Sequence, residues 1–298
     1  MRSVIGVYTN GNYNVAMLSD GTKIRSCKDG KMVPAFAESI DVKLTNKCDR
    51  NCRYCHEDSK PDGKHGNIMN VPFIDSLHPY TELAIGGGNP LEHPQLEEFL
   101  AYCKDRKLIV NMTVNQVHFE KEFVRIKNLV SNKFIYGLGV SLVNPTPEFI
   151  NMIREIPNAV IHIINGIVDR NTLQSLYDKG LKILILGYKE FRRGNTYHNG
   201  DTGTLIDARK NWMHDNIGDI INHFDTVSFD NLAIKQLEVR NIMSAEDFNH
   251  FYMGDDGQFT MYVDTVNQEY AVSSISTERY SYTDETIEEM FAKVRRNA

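Results

Sequence analysis

Three cysteines that could bind a metal together stand in one short stretch. Cys48, Cys52 and Cys55 are spaced C-x3-C-x2-C within eight residues. They directly follow an alternating apolar segment at residues 40–44, which is typical of a β-strand. Thiolates at such spacing are the usual ligands of structural zinc and of iron–sulfur clusters. The stretch therefore predicts a metal centre on a loop that follows a strand.

The number of cysteines separates the possible kinds of metal centre. A ferredoxin-type [4Fe–4S] cluster has a thiolate on each iron, and this stretch supplies three, so one iron would stay open. A zinc site of the three cysteines and His56 has suitable ligand types, but His56 directly follows Cys55, and zinc ligands usually come from two separated pairs. A disulfide framework does not suit five cysteines in a chain of 298 residues.

At these residues the chain resembles the radical S-adenosylmethionine (SAM) superfamily. The motif of that superfamily is C-x3-C-x-aromatic-C, and Tyr54 stands at the aromatic position. The resemblance implies that Cys48, Cys52 and Cys55 bind a [4Fe–4S] cluster and that its open iron binds the amino and carboxylate groups of SAM. It implies further that one electron from the cluster splits SAM into methionine and a 5′-deoxyadenosyl radical.

A run of glycines provides a second part of the resemblance. Gly86, Gly87 and Gly88 follow a predicted strand at residues 82–85 and precede Asn89. Consecutive glycines weaken a strand, and a close approach of the backbone to another group is a reason for them. The superfamily usually has Gly-Gly-Glu-Pro here, which meets the SAM ammonium. Asn89 takes the place of the acid, and we expect its uncharged amide to make a weaker contact.

Small polar residues end three further predicted strands. Asn115, Ser141 and Asn165 each stand at or near the carboxyl end of a strand. Ligands of barrel proteins gather at such ends, and the resemblance places SAM there, so these residues are candidates for SAM binding. Each of them could equally cap a helix, since Asn and Ser are common caps.

Three cations follow the sixth predicted strand. Lys189, Arg192 and Arg193 lie in a polar segment at the predicted mouth of the barrel. They are candidates for clamping a carboxylate or phosphate of the substrate, although a solvated run of charge is the commoner outcome. Residues 56–58, directly after the last cysteine, either hydrogen-bond the cofactor or substrate or face water.

The elements that must position these residues follow an α/β pattern. Six strand-like runs alternate with helical ones, and the strands are mostly apolar, as strands covered on both faces are. The pattern predicts a partial (β/α)6 barrel of the TIM type, the fold that the resemblance also implies, with ligands at the carboxyl ends of the strands. The strands are expected at residues 40–44, 82–85, 108–114, 137–142, 159–164 and 181–186, and the helix after the third strand is expected at about residues 120–131.

Three regions are predicted along the chain. Residues 1–36 hold a small N-terminal β-meander and a linker, and residues 37–203 hold the barrel core. Residues 204–298 form a C-terminal α+β extension with a long helix, a β-hairpin and a terminal helix. The expected N-cap of the terminal helix is Thr283.

Composition and charge narrow the class of protein. The chain is 41% hydrophobic and 24% charged, which is typical of a folded enzyme. A net charge of −6 does not favour nucleic-acid binding. No apolar run is long enough for a membrane span, and the first residues do not read as a signal peptide. Free thiols and a reduced cluster fit the cytoplasm, and the expected reductant is a flavodoxin- or ferredoxin-type protein.

The sequence leaves several functions open. The preferred one is a single-cluster radical SAM enzyme that abstracts hydrogen from an unidentified small molecule, of the size class that 7-carboxy-7-deazaguanine synthase handles. No cysteine follows Cys103, which argues against an auxiliary-cluster domain. Radical SAM modification of a peptide or protein is an alternative. A zinc- or cluster-stabilised binding module without turnover is another, and a plain electron carrier would want a fourth cysteine.

Overall fold

Two β-sheets organise the molecule. The computed structural model describes residues 3–28 and 30–296, and in these residues thirteen strands form the two sheets. The strands are β1 (Val4–Asn10), β2 (Tyr13–Leu18), β3 (Lys23–Cys27), β4 (Ser39–Thr45), β5 (Glu82–Gly87), β6 (Ile109–Asn115), β7 (Gly137–Ser141), β8 (Ala159–Ile164), β9 (Lys182–Leu186), β10 (Thr226–Phe229), β11 (Thr260–Asp264), β12 (Glu269–Ala271) and β13 (Tyr280–Ser281). The small sheet is the predicted antiparallel meander β1-β2-β3, and the large sheet has the order β10-β9-β8-β7-β6-β5-β4-β11-β12-β13.

Helices connect the parallel strands. They are α1 (Pro72–Asp75), α2 (Leu96–Asp105), α3 (Gln116–Lys121), α4 (Phe123–Ser131), α5 (Pro147–Arg154), α6 (Arg170–Gln174), α7 (Arg193–Tyr197), α8 (Gly203–Ile220), α9 (Asn231–Gln236), α10 (Ala245–Phe251) and α11 (Ile287–Arg295). Short 3-10 turns occur at Pro90–Glu92, Ile221–His223 and Val239–Asn241, and a π turn at His198–Thr202 joins α7 to α8. Among the helices of residues 3–28 and 30–296, none has the length and apolar character that a membrane crossing requires.

The six strands predicted for the barrel are β4 to β9. Each pairs in parallel with the next, which confirms the α/β class and the run of six βα units. Side chains alternate between two faces along each strand. In β8, Ile161 and Ile163 are buried in the main core, whereas His162 and Ile164 are partly exposed on the other face. We call the space on that second face the lumen.

The C-terminal region adds strands to both sides of these six. β10 pairs in parallel with β9, and β11 pairs in parallel with β4. The predicted hairpin is present as β11 and β12, which are antiparallel. The expected boundary after residue 203 therefore lies between two segments that share one sheet.

Contacts from the C-terminal region also bridge the open side of the barrel. The Lys189 ammonium, after β9, donates to the Ser274 hydroxyl, after β12, at 3.0 Å. The Arg279 guanidinium lies 5.9 Å from the centre of the Phe191 ring. The two ends of the curved sheet are thus joined across the lumen.

Two local predictions were wrong. The terminal helix has its N-cap at Thr286, not at Thr283, because Glu289 stands three residues after Thr286 and completes a capping box with it. A helix expected at residues 120–131 is instead the pair α3 and α4, which meet at Glu122.

Candidate cofactor site

The three cysteines lie in a loop that leaves the carboxyl end of β4. We call residues 46–67 the cysteine loop. The Cys55 amide donates to the Cys52 carbonyl at 3.2 Å, and the Cys48 amide donates to the Lys60 carbonyl at 2.8 Å. All three thiols are partly exposed. The loop is therefore tightly folded by its own backbone and keeps its sulfur atoms accessible.

The spacing of the sulfur atoms bears on the kind of metal. Within the part of the chain that the model describes, the sulfurs of Cys48, Cys52 and Cys55 do not all lie within 4.8 Å of one another. Zn–S bonds of about 2.3 Å in a tetrahedral site would bring the sulfurs to about 3.8 Å. The three sulfurs are thus not gathered as closely as a bound zinc ion would hold them. Burial raises the pKa of the Cys48 and Cys52 thiols, so a bound metal would have to displace their protons.

A histidine that the sequence analysis did not single out fixes the start of the motif. His118 of α3 is buried, and its Nε2 lies 2.6 Å from Oδ1 of Asp49. This hydrogen bond lowers the pKa of Asp49. The pair lies beside the Cys48 sulfur and ties the cysteine loop to the end of β6. A histidine four residues after the end of a predicted strand was the signal that could have found it.

Tyr54 lies on the lumen side of the loop. Its ring centre is 6.0 Å from that of Tyr197, and burial raises the pKa of Tyr54 to about 12. Tyr54 and residues at the carboxyl ends of β8 and β9 line a small cavity. The lining residues are Tyr54, His56, Ile164, Leu186, Gly187, Tyr188 and Lys189. The aromatic position of the motif thus borders a cavity between the loop and the barrel.

The glycine run packs against the beginning of the cysteine loop. The Gly88 amide donates to the Thr45 carbonyl, and the Asn89 amide donates to the Lys47 carbonyl, both at 2.7 Å. Gly87 has a φ of +103°, which favours glycine. Around Gly86, by contrast, a Cβ would have only the Thr113 side chain within 4 Å, at 3.9 Å. Two glycines therefore serve the junction with the loop, and Gly86 borders open space.

Both polar atoms of the Asn89 side chain have hydrogen-bond partners within the protein. Its Oδ1 accepts from the Leu91 amide at 3.3 Å, and its Nδ2 donates to Glu92 at 3.1 Å. Asn89 thereby caps the turn Pro90–Glu92. Glu92, which the sequence analysis did not consider, lies 3.7 Å from the Lys47 ammonium. An acid, Glu92, thus lies beside Asn89 but stands three residues after the expected position.

The small polar residues at the strand ends differ in what they contact. Asn115 caps α3 by accepting from the Val117 amide at 3.0 Å, and Ser141 stands beside it in the sheet. Asn165 is buried and donates to Gln236 at 3.1 Å. Its Oδ1 has no hydrogen-bond partner among the described residues. A buried acceptor of this kind needs a donor from a ligand or water.

The cations after β9 mostly hold the cysteine loop. Arg192 donates to the Glu57 carbonyl at 3.1 Å, and Arg193 forms an ion pair with Asp58 at 2.9 Å. Lys189 lies 3.4 Å from Nε2 of His56 in addition to its bond to Ser274. The predicted clamp therefore faces the protein's own loop at Arg192 and Arg193, and only Lys189 is directed into the cavity.

A buried charge network lies beneath the loop. Its members are Lys43 of β4, Glu57 of the loop, and Tyr262 and Asp264 of β11. The Lys43 ammonium is 3.1 Å from both Glu57 and Asp264. Burial alone would raise the pKa of Glu57, but His56 and Lys43 hold that pKa well below its usual range. The sequence analysis expected Glu57 either to contact the cofactor or substrate or to face water; Glu57 is only 7% exposed, and its carboxylate contacts Lys43 and Tyr262.

The lumen wall carries two ionisable side chains of altered pKa. Enclosure by the barrel raises the pKa of Asp41, on β4, to about 6, against the opposing charge of Lys189. Burial lowers the pKa of His162 to about 4, so its imidazole is neutral at pH 7. Gly139 of β7 makes room for this ring, because a Cβ there would lie 2.2 Å from it.

Comparisons with known proteins were made for sequence and for structure. No protein-family model matches the chain. A probable GTP 3′,8-cyclase of Methanococcus maripaludis is 27% identical over 106 residues, which are 33% of this chain and 34% of that relative. A probable GTP 3′,8-cyclase of Methanocaldococcus jannaschii is 26% identical over 136 residues, 43% of this chain and 44% of that relative. The chain spans less than half the length of these curated relatives.

The fold is similar to solved structures that bind SAM. Streptococcus suis SuiB bound to SAM has a TM-score of 0.56 at 12% identity, over 88% of this chain and 68% of that one. The protein anSMEcpe with bound SAM has a TM-score of 0.54 at 11% identity, over 87% of this chain and 81% of that one. SuiB has also been solved with its precursor peptide SuiA. At these identities the likeness is one of fold.

Proposed function

We propose that the chain is an enzyme of the radical SAM superfamily and that it abstracts hydrogen from a small polar molecule held in the lumen. Bound together, a [4Fe–4S] cluster and SAM supply the chemistry, a reductive cleavage that yields a 5′-deoxyadenosyl radical. The electron donor in this proposal is a flavodoxin- or ferredoxin-type protein of the cytoplasm.

One observation carries the proposal. The cysteine loop and the glycine run, which are distant in sequence, are joined at the rim of the lumen, because the Asn89 amide donates to the Lys47 carbonyl of the loop and the Gly88 amide donates to the Thr45 carbonyl at the end of β4, both at 2.7 Å. A cluster on the loop and a ligand on the open face of Gly86 would therefore be neighbours. A metal-stabilised binding module has no need for this junction.

The residues proposed to hold the cofactors share the rim. In this assignment the three cysteines bind the cluster, and the SAM side is lined by Tyr54, Gly86, Gly87, Gly88, Asn89, Asn115, Ser141 and Asn165. Gly87, Gly88 and Asn89 act by holding the run against the loop. The accessible sulfurs and the open face at Gly86 fit such a pair of ligands.

The contacts that bridge the open side of the barrel are evidence for a small substrate. The Lys189–Ser274 bond at 3.0 Å and the Arg279–Phe191 contact span the gap through which an extended peptide would enter. His162 and Asp41 offer a neutral imidazole and a carboxyl group to what lies inside. We therefore favour a small molecule over a peptide or protein segment.

The charges of the lumen argue against a nucleoside triphosphate. Recognition of several phosphates calls for several cations. Arg192 and Arg193 already face Glu57 and Asp58. Two cations are left for a substrate anion: Lys189, which contacts the neutral Ser274 and His56, and Arg279, whose Nη1 is buried without a hydrogen-bond partner among the described residues. We infer a substrate with at most two negative charges, unlike the GTP named for the curated relatives.

Anaerobic reconstitution with iron and sulfide tests the assignment of the cysteines. The unaltered chain should take up about four irons and release 5′-deoxyadenosine from SAM after reduction with dithionite. Replacing any of Cys48, Cys52 or Cys55 by Ala should abolish both. The control Cys103→Ala removes a thiol that is buried in α2 and should keep both.

The alternatives give different results in the same experiment. Zinc that co-purifies, with no iron taken up, would establish a binding module. Cluster loss in Cys103→Ala or Cys27→Ala would overturn the ligand assignment. Addition of GTP should leave the release of 5′-deoxyadenosine unchanged, and a severalfold stimulation by GTP would contradict the charge argument for the substrate.

A further inference from the structure

Glu57 stands two residues after the last cysteine and is anchored from the opposite end of the chain. The Tyr262 hydroxyl, on β11, lies 3.1 and 3.0 Å from the two carboxylate oxygens of Glu57. Glu57 is 7% exposed and Tyr262 is 3% exposed. Contact with bulk water therefore does not compete strongly with this hydrogen bond, and a bond to a charged carboxylate is stronger than a neutral one.

Lys43 joins this contact to the rest of the site. Its side chain is 1% exposed, and its ammonium lies 3.1 Å from both Glu57 and Asp264. Its stem passes beneath the glycine run, since a Cβ on Gly87 would lie 2.6 Å from Cγ of Lys43. One buried side chain thus touches the cysteine loop, the glycine run and β11.

Asp264 is itself held rigidly by the turn that follows β11. Its Oδ1 accepts from the amides of Val266 and Asn267 at 3.0 and 3.1 Å, and its Oδ2 accepts from Nδ2 of Asn267 at 2.9 Å. An acid held at so many points cannot follow Lys43 if the lysine moves. The position of Asp264 therefore fixes that of Lys43.

A need for stability alone does not explain such a network. The cost of removing charged groups from water can equal or exceed the attraction between them, and packed apolar residues of the same volume often serve as well. A set of buried charges that converges on one loop residue instead favours a role in fixing the conformation of that loop. The Arg192 bond to the Glu57 carbonyl at 3.1 Å adds a further point of attachment to it.

We propose that Lys43, Tyr262 and Asp264 are positioning residues for the cofactor site and act through Glu57. They hold the carboxyl-terminal part of the cysteine motif in the one geometry that keeps the cluster seated beside the glycine run. The strand β11, which belongs to the region beyond the predicted core, is then part of the cofactor site. This inference rests on the proposed function, because it presupposes a cluster on the cysteine loop.

The test compares two tyrosines of the same hairpin. Tyr262→Phe removes only the hydroxyl that faces Glu57. Tyr270→Phe makes the same change on the neighbouring strand β12, where the tyrosine is equally buried and Lys293 lies 6.0 Å from its ring. Both proteins are reconstituted anaerobically, and the loss of visible cluster absorbance in a chelator, the change in the electron paramagnetic resonance spectrum on adding SAM, and the thermal midpoint are measured.

Tyr262→Phe should lose its cluster about tenfold faster than the unaltered chain, the factor expected for one lost hydrogen bond to a charged group. Its spectral response to SAM should also be altered, while Tyr270→Phe should match the unaltered chain in both. Equal cluster lifetimes and spectra in all three proteins would overturn the inference. If the unaltered chain takes up no cluster, the proposed function itself fails, which is a separate result.

A double variant tests whether Tyr262 acts through Glu57. Glu57→Ala removes the carboxylate that accepts from Tyr262 and attracts Lys43, and residues that act as one unit have non-additive effects. The double variant Tyr262→Phe, Glu57→Ala should therefore lose its cluster about as fast as Glu57→Ala alone. Rates that multiply would show that Tyr262 acts by another route and would contradict the proposal.

Discussion

Gly88 and Lys47 approach each other more closely than a side chain on residue 88 would allow. A Cβ on Gly88 would lie 2.1 Å from the Lys47 carbonyl oxygen, far inside any real contact. The Gly88 amide donates to Thr45 at 2.7 Å in the same place. Backbone atoms cannot yield as a flexible side chain can, so a substitution here must move the glycine run or the cysteine loop.

Gly88→Ala should therefore weaken SAM binding at least tenfold while leaving the secondary structure intact. The displacement is local, but it opens the junction at which both cofactors are proposed to meet. Equilibrium dialysis of the reconstituted protein with labelled SAM measures the effect. Gly218→Ala is the control, because a Cβ there has nothing within 4 Å and alanine favours a helix. Equal SAM affinity in both variants would contradict the role given to the run.

His162 gives a prediction for the dependence of stability on pH. Burial lowers its pKa from 6.5 to about 4 in the folded chain. Between these two values the unfolded chain binds a proton that the folded chain does not, so stability rises with pH in this window and falls on acidification. His162→Gln should lose less stability than the unaltered chain between pH 7 and pH 5.

Thermal midpoints at the two pH values measure this difference. The drop in Tm should be smaller in His162→Gln by about 2–4 °C, the shift that ~1 kcal/mol produces in a chain of this size. His250→Gln, an exposed position in α10, serves as the control and should show the full drop. An equal drop in both variants would show that the imidazole is not withdrawn from water.

Individual residues also show where prediction from sequence ends. The cysteine spacing and the glycine run were recognisable because their chemistry depends on neighbours along the chain. The partners of Arg192 and Arg193 were not, because Glu57 and Asp58 lie more than 130 residues earlier. A charge run looks the same whether it faces water, a substrate or a buried acid, and only the fold decides among these.

At the scale of elements, the start of α11 illustrates how a helix selects its cap. Thr286 accepts from the Glu289 amide, and the Glu289 carboxylate accepts from the Thr286 amide. Thr283 looked suitable because acidic residues follow it, but its amide donates to Glu285 in a separate turn. These two reciprocal hydrogen bonds satisfy two backbone N–H groups that have no partner within the helix.

Thr286→Ala should lower the free energy of unfolding by about 1 kcal/mol, the usual cost of a lost N-cap. Thr283→Ala is the matched control and should change it by no more than about 0.5 kcal/mol, as exposed substitutions do. Chemical denaturation of both variants measures the difference. A larger effect at Thr283 would return the cap to the position that the sequence suggested.

The strands were predicted more closely than the helices. β4 to β9 appear as apolar runs because each is buried between the helices and the lumen, and this signal is local. The sequence carries no such signal for the pairing of β11 with β4. The residue pattern of a strand does not show whether its partner will be a parallel strand or the antiparallel strand of a hairpin. The apolar residues keep a helical spacing across Glu122, where α3 ends and α4 begins. The sequence pattern therefore did not reveal that two helices meet there.

At the scale of the whole molecule, one sheet unites the predicted core and the predicted extension. β10 covers one side of the six central strands and β11 covers the other. The main core likewise contains residues from both regions, such as Val42 and Val263. The extension is therefore structural, and the barrel is incomplete without it.

A chain that ends after residue 203 should fail to fold cooperatively. It leaves the edges of β4 and β9 unpaired, and exposed edges of this kind invite aggregation. Circular dichroism and limited proteolysis of the truncated and full chains measure the outcome. A protease-resistant fragment with a sharp thermal transition would show that residues 37–203 form an independent domain after all.

The distance along the chain between β4 and β11 has a consequence for how the protein is made. Lys43 and Asp264 are 221 residues apart. Synthesis of a stretch of that length takes on the order of ten seconds or more. The cysteines are therefore made before the strand that lies beneath them. If the proposed cluster is inserted only into a supported loop, its insertion should follow the synthesis of β11 and the pairing of β11 with β4.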